Sequence, residues 1–349
     1  MKHLRSHRLR LAPACSLALT LLVLIVPRLS TAQQTAPDST KLVMLTVTVT
    51  NADGYPIPNL KRDAFMVLDN KEPQKIGFFY AQDTPASVGI LFDMSPSMFY
   101  DASKLNAAIK GVWQFIQQSN KANKYFVVGF QGQPELLIDW TSDANAILDV
   151  LNKLGSFRQS KDGAALYDAC LFGIEKLKQN SNMKSILLLI SHGNDNSSHH
   201  QANEVQHGLK GSSVAVYSLG LMNPALDIYA GYDSDIHTPV NHRTPAAQKI
   251  YASYGRGLLE GLSSSSGGKA FFPLEVAEFP KIFARLALQL RHQYVVGFYP
   301  ANLKDDGKWH TIKVSVKPVQ TRDESKPDRP VVTMTPKVRT REGYYAPKP

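Results

Sequence analysis

The fold is decided by residues 87–97, which read SVGILFDMSPS. The first six of these form an almost continuous apolar run, which is typical of a strand covered on both faces. Segments with apolar residues at helical spacing separate this run from comparable ones at 125–130, 186–190 and 214–219. Buried strands that alternate with amphipathic helices need right-handed crossovers, which place helices on both faces of a mostly parallel sheet. The sequence therefore predicts a doubly wound α/β domain over residues 85–292.

On both sides of this domain the pattern changes to apolar residues at every second position. Residues 42–50 and 311–317 alternate in this way, as expected of strands with one buried and one exposed face, and a further strand is predicted at 338–344. Neither flank holds many strands, and small open sheets are only marginally stable alone. We therefore expect segment 33–84 to pair with segment 293–349 in one antiparallel β-sandwich, with the α/β domain inserted between them.

The first 32 residues have the layout of a secretory signal. A basic head is followed by an apolar run at 11–26 and by the small residues Ser30-Thr31-Ala32. We expect a signal peptide at 1–32, with an uncleaved membrane anchor as the alternative. The protein is then exported to the periplasm, the cell envelope or the extracellular space. Removal of the signal leaves Cys170 as the lone cysteine, so no disulfide is expected.

Positive charge is concentrated in the last part of the chain. The formal net charge is +10, and residues 281–349 hold 14 Lys and Arg residues against six Asp and Glu residues. Some of these charges alternate with apolar residues, as Lys313 and Lys317 do, which is typical of the solvated face of a sheet. We therefore expect no nucleic-acid partner. An anionic glycan, membrane or envelope surface stays open as a partner of this basic C-terminal segment.

Three oxygen-bearing side chains follow the first buried strand. Asp93, Ser95 and Ser97 stand where doubly wound sheets bind ligands, outside the carboxyl ends of the strands. One carboxylate and two hydroxyls offer only oxygen donors, which suits Mg²⁺ or Mn²⁺. The same residue types also cap helices and stabilise turns by accepting bonds from backbone N–H groups, which needs no metal. The pattern predicts a site here and leaves both roles open.

The Asp-x-Ser-x-Ser pattern at the end of the first apolar strand resembles the metal-ion-dependent adhesion site of von Willebrand factor A domains. The chain is most similar to VWFA-related proteins of the acidobacterial type, and the segments that carry this resemblance are 163–169, 187–193, 294–300 and 341–345. The resemblance covers nearly all of the chain after residue 32. It implies a von Willebrand factor A-like fold, a bound divalent cation, and an acidic ligand side chain that completes the coordination sphere of the metal.

Two positions depart from the pattern of that family. Such sites usually take a Thr from the turn before the third helix and an Asp after the fourth buried strand, where this chain has Ala164 and His192. Alanine has no ligating atom, and imidazole is a poor ligand for a hard cation. Asp168 and Asp195 lie near these turns and are possible substitutes. We therefore expect a degenerate metal site with weak affinity for Mg²⁺ or Mn²⁺.

Signatures of an enzyme are missing from the sequence, which has no Gly-x-Ser-x-Gly elbow, phosphate-binding loop, dinucleotide fingerprint or Cys/His nucleophile pair. The loop and helix after the fourth buried strand match no zinc spacing, although they contain His192, Asp195, His199, His200 and His207. We expect a non-enzymatic protein that binds a protein or glycan with the rim formed by the Asp93 turn, the Gly163 turn and the His192 loop. A structural scaffold of the cell envelope with a vestigial metal site is the alternative. A hydrolase is a third possibility, for which no nucleophile is identified.

Overall fold

A computed structural model describes residues 42–99, 101–154, 163–180, 182–221, 245–301, 306–321 and 332–347. For residues 97, 245–253, 321 and 332 only the backbone is described. The predicted signal at 1–32 lies outside these ranges and stays a prediction. Within the described ranges, no helix combines the length and the apolar character needed to span a bilayer.

Four strands precede the α/β domain, namely β1 (Val43–Thr50), β2 (Phe65–Asp69), β3 (Glu72–Gln74) and β4 (Ile76–Tyr80). The expectation for β1 is met on one face only, because Leu45, Val47 and Val49 are completely buried, but Thr48 and Thr50, which were expected on an exposed face, are each 1% exposed. A two-residue turn joins β2 to β3, and both of its residues have positive φ, 48° at Asn70 and 74° at Lys71. Such a turn matches the twist of a tight hairpin.

Within the described ranges, the α/β domain contains six strands, β5 (Ala86–Asp93), β6 (Lys124–Phe130), β7 (Pro134–Thr141), β8 (Lys184–Ser191), β9 (Val214–Gly220) and β10 (Lys269–Phe271). Its helices are α1 (Ala102–Gln118), α2 (Ala144–Asn152), α3 (Leu166–Gln179), α4 (Ala202–Lys210), α5 (Pro245–Ser265) and α6 (Phe279–Arg291). The strand order is β10-β9-β8-β5-β6-β7. Neighbouring strands are parallel except for β6 and β7. This arrangement confirms the predicted fold class.

The central strand β5 is buried on both faces. Val88, Ile90 and Phe92 belong to the core that includes residues of α1 and α6, while Leu91 belongs to the core formed with α3 on the opposite face. All eight residues of β5 are buried. The apolar run in the sequence therefore reflects helices on both sides of the sheet.

Six strands follow the α/β domain, β11 (Tyr294–Phe298), β12 (Trp309–Val316), β13 (Val319–Thr321), β14 (Val332–Met334), β15 (Lys337–Arg339) and β16 (Gly343–Tyr345). Strands β13 and β14 pair with each other. The others join the leading strands in two four-stranded sheets, β15-β1-β11-β4 and β16-β12-β2-β3. The two sheets share one apolar core, so the leading and trailing strands form one β-sandwich. The limits of the domains stay predictions.

The segment predicted as one strand at 338–344 is divided between the two sheets. Strand β15 pairs with β1, whereas β16 pairs with β12 in the other sheet. The chain crosses between the sheets at residues 340–342. Gly343 permits the close approach that follows, because a Cβ atom there would lie 2.1 Å from the carbonyl oxygen of His310. The residue types at 338–344 did not indicate the break.

Candidate functional site

Asp93 and Ser95 lie at the carboxyl end of the parallel sheet. Asp93 is the last residue of β5, which runs between β8 and β6 in the middle of the sheet. Its side chain is completely buried, and Ser95 is 3% exposed. Residues Pro96–Phe99 then form one 3₁₀ turn before α1. This turn contains Ser97, whose side chain lies outside the described part of the chain.

Both oxygens of the Asp93 carboxylate accept hydrogen bonds from the protein. Oδ2 accepts from Ser191 Oγ at 2.6 Å and from His192 Nδ1 at 2.9 Å. Oδ1 accepts from the backbone N–H of Ser95 at 2.9 Å. Burial acts to raise the pKa of Asp93, but the charge of His192 and these hydrogen bonds outweigh it and hold the pKa below its ordinary value. The carboxylate is therefore ionised, and protein groups bond both of its oxygens.

Ser191 and Gly193 hold the loop that carries His192. Ser191 Oγ donates to Asp93 and accepts from the N–H of Gly193 at 2.9 Å. Gly193 has a φ of +84°, and a Cβ atom there would lie 2.4 Å from the carbonyl oxygen of Gly255 in α5. Ser191 is not among the residues predicted from the sequence. The sequence feature that could have indicated it is a hydroxyl directly after the apolar run at 186–190.

Asn196 holds the turn that contains Ala164. The N–H of Ala164 donates to Asn196 Oδ1 at 2.7 Å, and the N–H of Asn196 donates to the Ala164 carbonyl at 3.1 Å. The N–H of Ala165 donates to the Gln131 carbonyl at 2.6 Å, which joins the turn to the end of β6. Ala164 is 2% exposed and brings only a methyl group to the site. The sequence did not indicate this role of Asn196, because it requires two loops to meet.

Asp195 caps helix α3 from a different loop. The residue before this helix is Ala165, whose side chain cannot cap it. Instead, Asp195 Oδ2 accepts from the N–H of Tyr167 at 2.9 Å and from Ser198 Oγ at 2.5 Å. Ser198 Oγ in turn accepts from the N–H of Asp168 at 3.1 Å. Asp195 and Ser198 thereby satisfy two of the free N–H groups in the first turn of the helix.

Asp168 holds the neighbouring pair of histidines. Its Oδ2 accepts from the N–H of His199 at 3.0 Å, and its Oδ1 accepts from the N–H of His200 at 3.0 Å. The Nδ1 atoms of the same histidines lie at 3.3 Å and 2.8 Å from these oxygens. Burial acts to raise the pKa of Asp168, but hydrogen bonds to both histidines outweigh it and lower the pKa to about 2. The carboxylate thus orders the His199–His200 segment.

The donor set fits a divalent cation poorly. Ala164 offers no ligating side-chain atom, and Nδ1 of His192 is engaged with Asp93. The two possible substitutes, Asp168 and Asp195, accept hydrogen bonds from backbone N–H groups of the loop and of α3. Over the described ranges, no group of three or more His, Cys, Asp and Glu side chains is placed to hold a metal ion. Metal ligation by Asp93, Ser95 and Ser97 stays a prediction.

The remaining candidates from the sequence lie apart from this site. His207 is in α4, and its ring centroid lies 5.4 Å from that of Tyr345 in the C-terminal part of the chain. Cys170 is buried in α3, and burial raises its pKa to about 12. Its thiol therefore stays protonated at neutral pH and is not a nucleophile.

Comparisons with known proteins identify the α/β domain. Residues 88–194, from β5 to the loop after β8, match the von Willebrand factor type A domain family. Among solved structures, the chain is similar to "von Willebrand factor type A from Catenulispora acidiphila", with 10% identity over 80% of this chain and 73% of that chain and a TM-score of 0.44. No curated protein matches the chain.

Two further solved structures cover a smaller part of the chain. The protein BatB from Bacteroides thetaiotaomicron has 16% identity over 58% of this chain and 98% of that chain, with a TM-score of 0.42. The vWF domain of the type V pili tip protein Mfa5 from Porphyromonas gingivalis has 11% identity over 59% and 95%, with a TM-score of 0.41. Residues 88–194 match this family, and their strands belong to the mostly parallel six-stranded sheet. Together these findings show that this part of the chain is a von Willebrand factor type A domain.

Proposed function

We propose that this protein is an exported, non-enzymatic interaction module that binds a protein or glycan partner through the rim of its von Willebrand factor type A domain. The rim comprises Ser95, the turn 163–165 and the loop 192–200. Binding at this rim does not depend on a metal ion. The proposal rests on one observation above all, which is the buried contact between Asp93 and His192.

This contact supports binding without a metal. In the family site, an acidic ligand completes the coordination sphere of a cation. Here Asp93 accepts hydrogen bonds from His192 and Ser191, so it is already engaged and an acidic ligand gains little from a cation at this position. Binding would instead use the polar groups that the rim exposes. His199 and His200 are the most accessible of these, with side chains 87% and 51% exposed.

A catalytic role is not supported by the same residues. Ser191, His192 and Asp93 are the residue types of a hydrolytic triad. However, Ser191 donates its hydrogen bond to Asp93 and not to His192, and Ser191 is completely buried. In a triad the histidine lies between the other two residues and accepts the serine proton. Ser191 is therefore held as a structural donor, without a base that activates it.

Isothermal titration with Mg²⁺ and Mn²⁺ tests metal independence. We expect no binding, or a millimolar affinity that is the same in wild type and Asp93→Ala. A low-micromolar affinity that Asp93→Ala removes would contradict the proposal, because Asp93 is then a ligand. Asp101→Ala is a matched control, since it removes a half-buried carboxylate that caps α1 outside the site.

Photo-crosslinking tests the rim. Benzoyl-phenylalanine is placed at His199 on the rim, and at Lys110 on the exposed side of α1 as a control. We expect one adduct of defined mass with a component of the source cells, formed at His199, absent at Lys110 and unchanged by EDTA. Equal adducts at both positions would contradict a rim interface. An adduct that EDTA abolishes would contradict metal independence.

A structural scaffold in the cell envelope is the second candidate. The observation in its favour is the exposed position of Lys313 and Lys317, on and next to a strand whose Ile312, Val314 and Val316 are buried. Such a basic face suits an anionic envelope polymer. Release of the protein from envelope fractions by salt, with weaker retention of a Lys313→Gln, Lys317→Gln variant, would favour this role. Retention that neither salt nor the variant changes would contradict it.

A further inference from the structure

A cavity of about 460 Å³ lies at the opposite edge of the parallel sheet from the rim. Ser185 and Val214, from the starts of β8 and β9, line it together with residues at the start of β1 and in the C-terminal segment around β16. Its volume is within the range of pockets that hold small molecules. Because parallel strands run from this edge toward Asp93, the cavity is a separate site from the one proposed above.

The charged residues that line this cavity are all basic. They are Lys178, Lys210 and Arg341, and no Asp or Glu is among the described residues that line it. Lys178 has a partial counter-charge, since its Nζ lies 3.6 Å from Glu175 on the exposed side of α3. Lys210 Nζ lies 5.2 Å from the centre of the Trp309 ring. The cavity therefore has an excess of positive charge.

Arg341 is held in the cavity by neutral groups. Its Nη1 donates to the carbonyl of Ser212 and its Nη2 to the carbonyl of Met44, each at 3.0 Å. Its Nε is buried and has no hydrogen-bond partner among the described residues. Burial lowers the pKa of Arg341 to about 10, which shows that these two carbonyls do not compensate the desolvation of the charge. An anion beside the guanidinium would compensate it.

A second buried polar atom without a partner belongs to the same cavity. Ser185 Oγ is buried and has no hydrogen-bond partner, although buried hydroxyls almost always have one. The cavity also has apolar walls, formed in part by Leu42, Leu177 and Val214. A guanidinium Nε–H and a hydroxyl without partners in the described part of the chain indicate an oxyanion, and the apolar walls indicate an apolar body attached to it.

We propose that this cavity binds a small organic anion, with its oxyanion head at Arg341 and Ser185 and its apolar body against the aliphatic walls. A carboxylate, a sulfate ester and a phosphate ester share this chemistry. Arg341 provides charge-assisted hydrogen bonds, and Lys178 and Lys210 attract the anion to the opening. The proposal does not depend on the function of the rim.

The test is titration calorimetry of the chain at constant ionic strength with benzoate, hexanoate, phenyl phosphate, inorganic phosphate and sulfate. We expect saturable binding of one organic anion per chain, tighter than that of inorganic phosphate or sulfate. The strongest of the organic probes identifies the head group. Equal affinity for sulfate and for the organic anions would contradict an organic ligand, and absence of saturable binding with all five probes would overturn the proposal.

Variants locate the site. Arg341→Met and Ser185→Ala should each weaken binding about tenfold, because each removes a donor to a charged ligand. Lys210→Gln should weaken binding more than the matched control Lys313→Gln, which removes the same charge from β12 outside the cavity. Where Arg341→Met does not fold, Ser185→Ala decides, since the Ser185 hydroxyl bonds nothing in the described part of the chain. Unchanged affinity in folded Ser185→Ala and Lys210→Gln would overturn the proposal.

Discussion

His192 Nδ1 lies 2.9 Å from Asp93 Oδ2, and the two side chains are 8% and 0% exposed. An ionised carboxylate only accepts hydrogen bonds, so Nδ1 carries the proton of this contact. The imidazole therefore stands beside the carboxylate at the position where the von Willebrand factor type A pattern has a second acid. The carboxylate of Asp93 is thus stabilised by a histidine.

This relationship predicts the effect of His192→Asp. Two carboxylates would then share a buried site without a cation, so we expect a loss of about 3–5 kcal/mol in the free energy of unfolding, as when one partner of a buried pair is removed. Millimolar Mg²⁺ should restore part of this stability in the variant and have no effect on wild type. Urea unfolding with and without Mg²⁺ measures both effects.

The matched control is His192→Asn, which removes the histidine without adding a charge. Its stability should be lowered and should not respond to Mg²⁺. A wild-type protein that Mg²⁺ stabilises as strongly as His192→Asp would show that the histidine does not exclude the cation.

The loop geometry predicts the effect of Gly193→Ala. The φ of +84° and the Gly255 carbonyl 2.4 Å from the position of a Cβ atom leave no room for a methyl group. We expect a loss of at least about 3 kcal/mol in the free energy of unfolding. Gly261→Ala in α5 is the control, since a Cβ atom there meets nothing within 4 Å and should stabilise the helix by up to about 1 kcal/mol. Equal effects of the two variants in thermal or urea unfolding would refute this account of the loop.

The buried lysine of β8 predicts a pH dependence. Lys184 is 1% exposed, and its Nζ donates to the carbonyl of Leu290 at 2.8 Å and lies 3.9 Å from Asp83. Burial lowers its pKa from 10.5 to about 8, although Asp83 opposes this shift. Between these two values the unfolded chain binds more protons at Lys184 than the folded chain, so the contribution of this residue to stability rises with pH from about 8 to 10.5.

Lys184→Met should remove this dependence. We expect the variant to be as stable as wild type or more stable near pH 7, because a buried charge is replaced by an apolar side chain of similar length. The advantage of the variant should shrink by about 3 kcal/mol or less as the pH rises to 10.5. Urea unfolding of both proteins across this range measures the difference. A difference that stays constant with pH would show that Lys184 keeps its ordinary pKa in the folded protein.

The cap of α3 predicts that Asp195 and Ser198 act together. Asp195→Ala should lower the free energy of unfolding by about 1–2 kcal/mol, as loss of a helix cap does. Because Ser198 Oγ donates to Asp195 Oδ2, the double variant with Ser198→Ala should lose less than the sum of the single variants, by about 1 kcal/mol. Asp143→Ala, which removes the local cap of α2, is the control and should add to Ser198→Ala independently. Additive losses for Asp195 and Ser198 would contradict a shared cap.

Much of the fold follows from the sequence alone. The apolar run of β5 predicts its burial on both faces, and alternation in β12 predicts a sandwich strand with one exposed face. These patterns hold because side-chain directions repeat along a strand. The order of apolar and polar residues over a few positions therefore shows which faces of the strand are buried. The position of Asp93 at the carboxyl end of β5 follows for the same reason.

The partners of the site residues were decided by tertiary structure. Asp93 contacts Ser191 and His192, about a hundred residues later in the chain, because β8 lies beside β5 in the sheet. Asn196 contacts Ala164 because the loops that carry them lie at the same edge of the sheet. Each contact depends on the path of a short loop, which has no repeating pattern to indicate it. The residue types at these positions determined which hydrogen-bond donors and acceptors were present. Only the packing of the loops determined which of these atoms bond to each other.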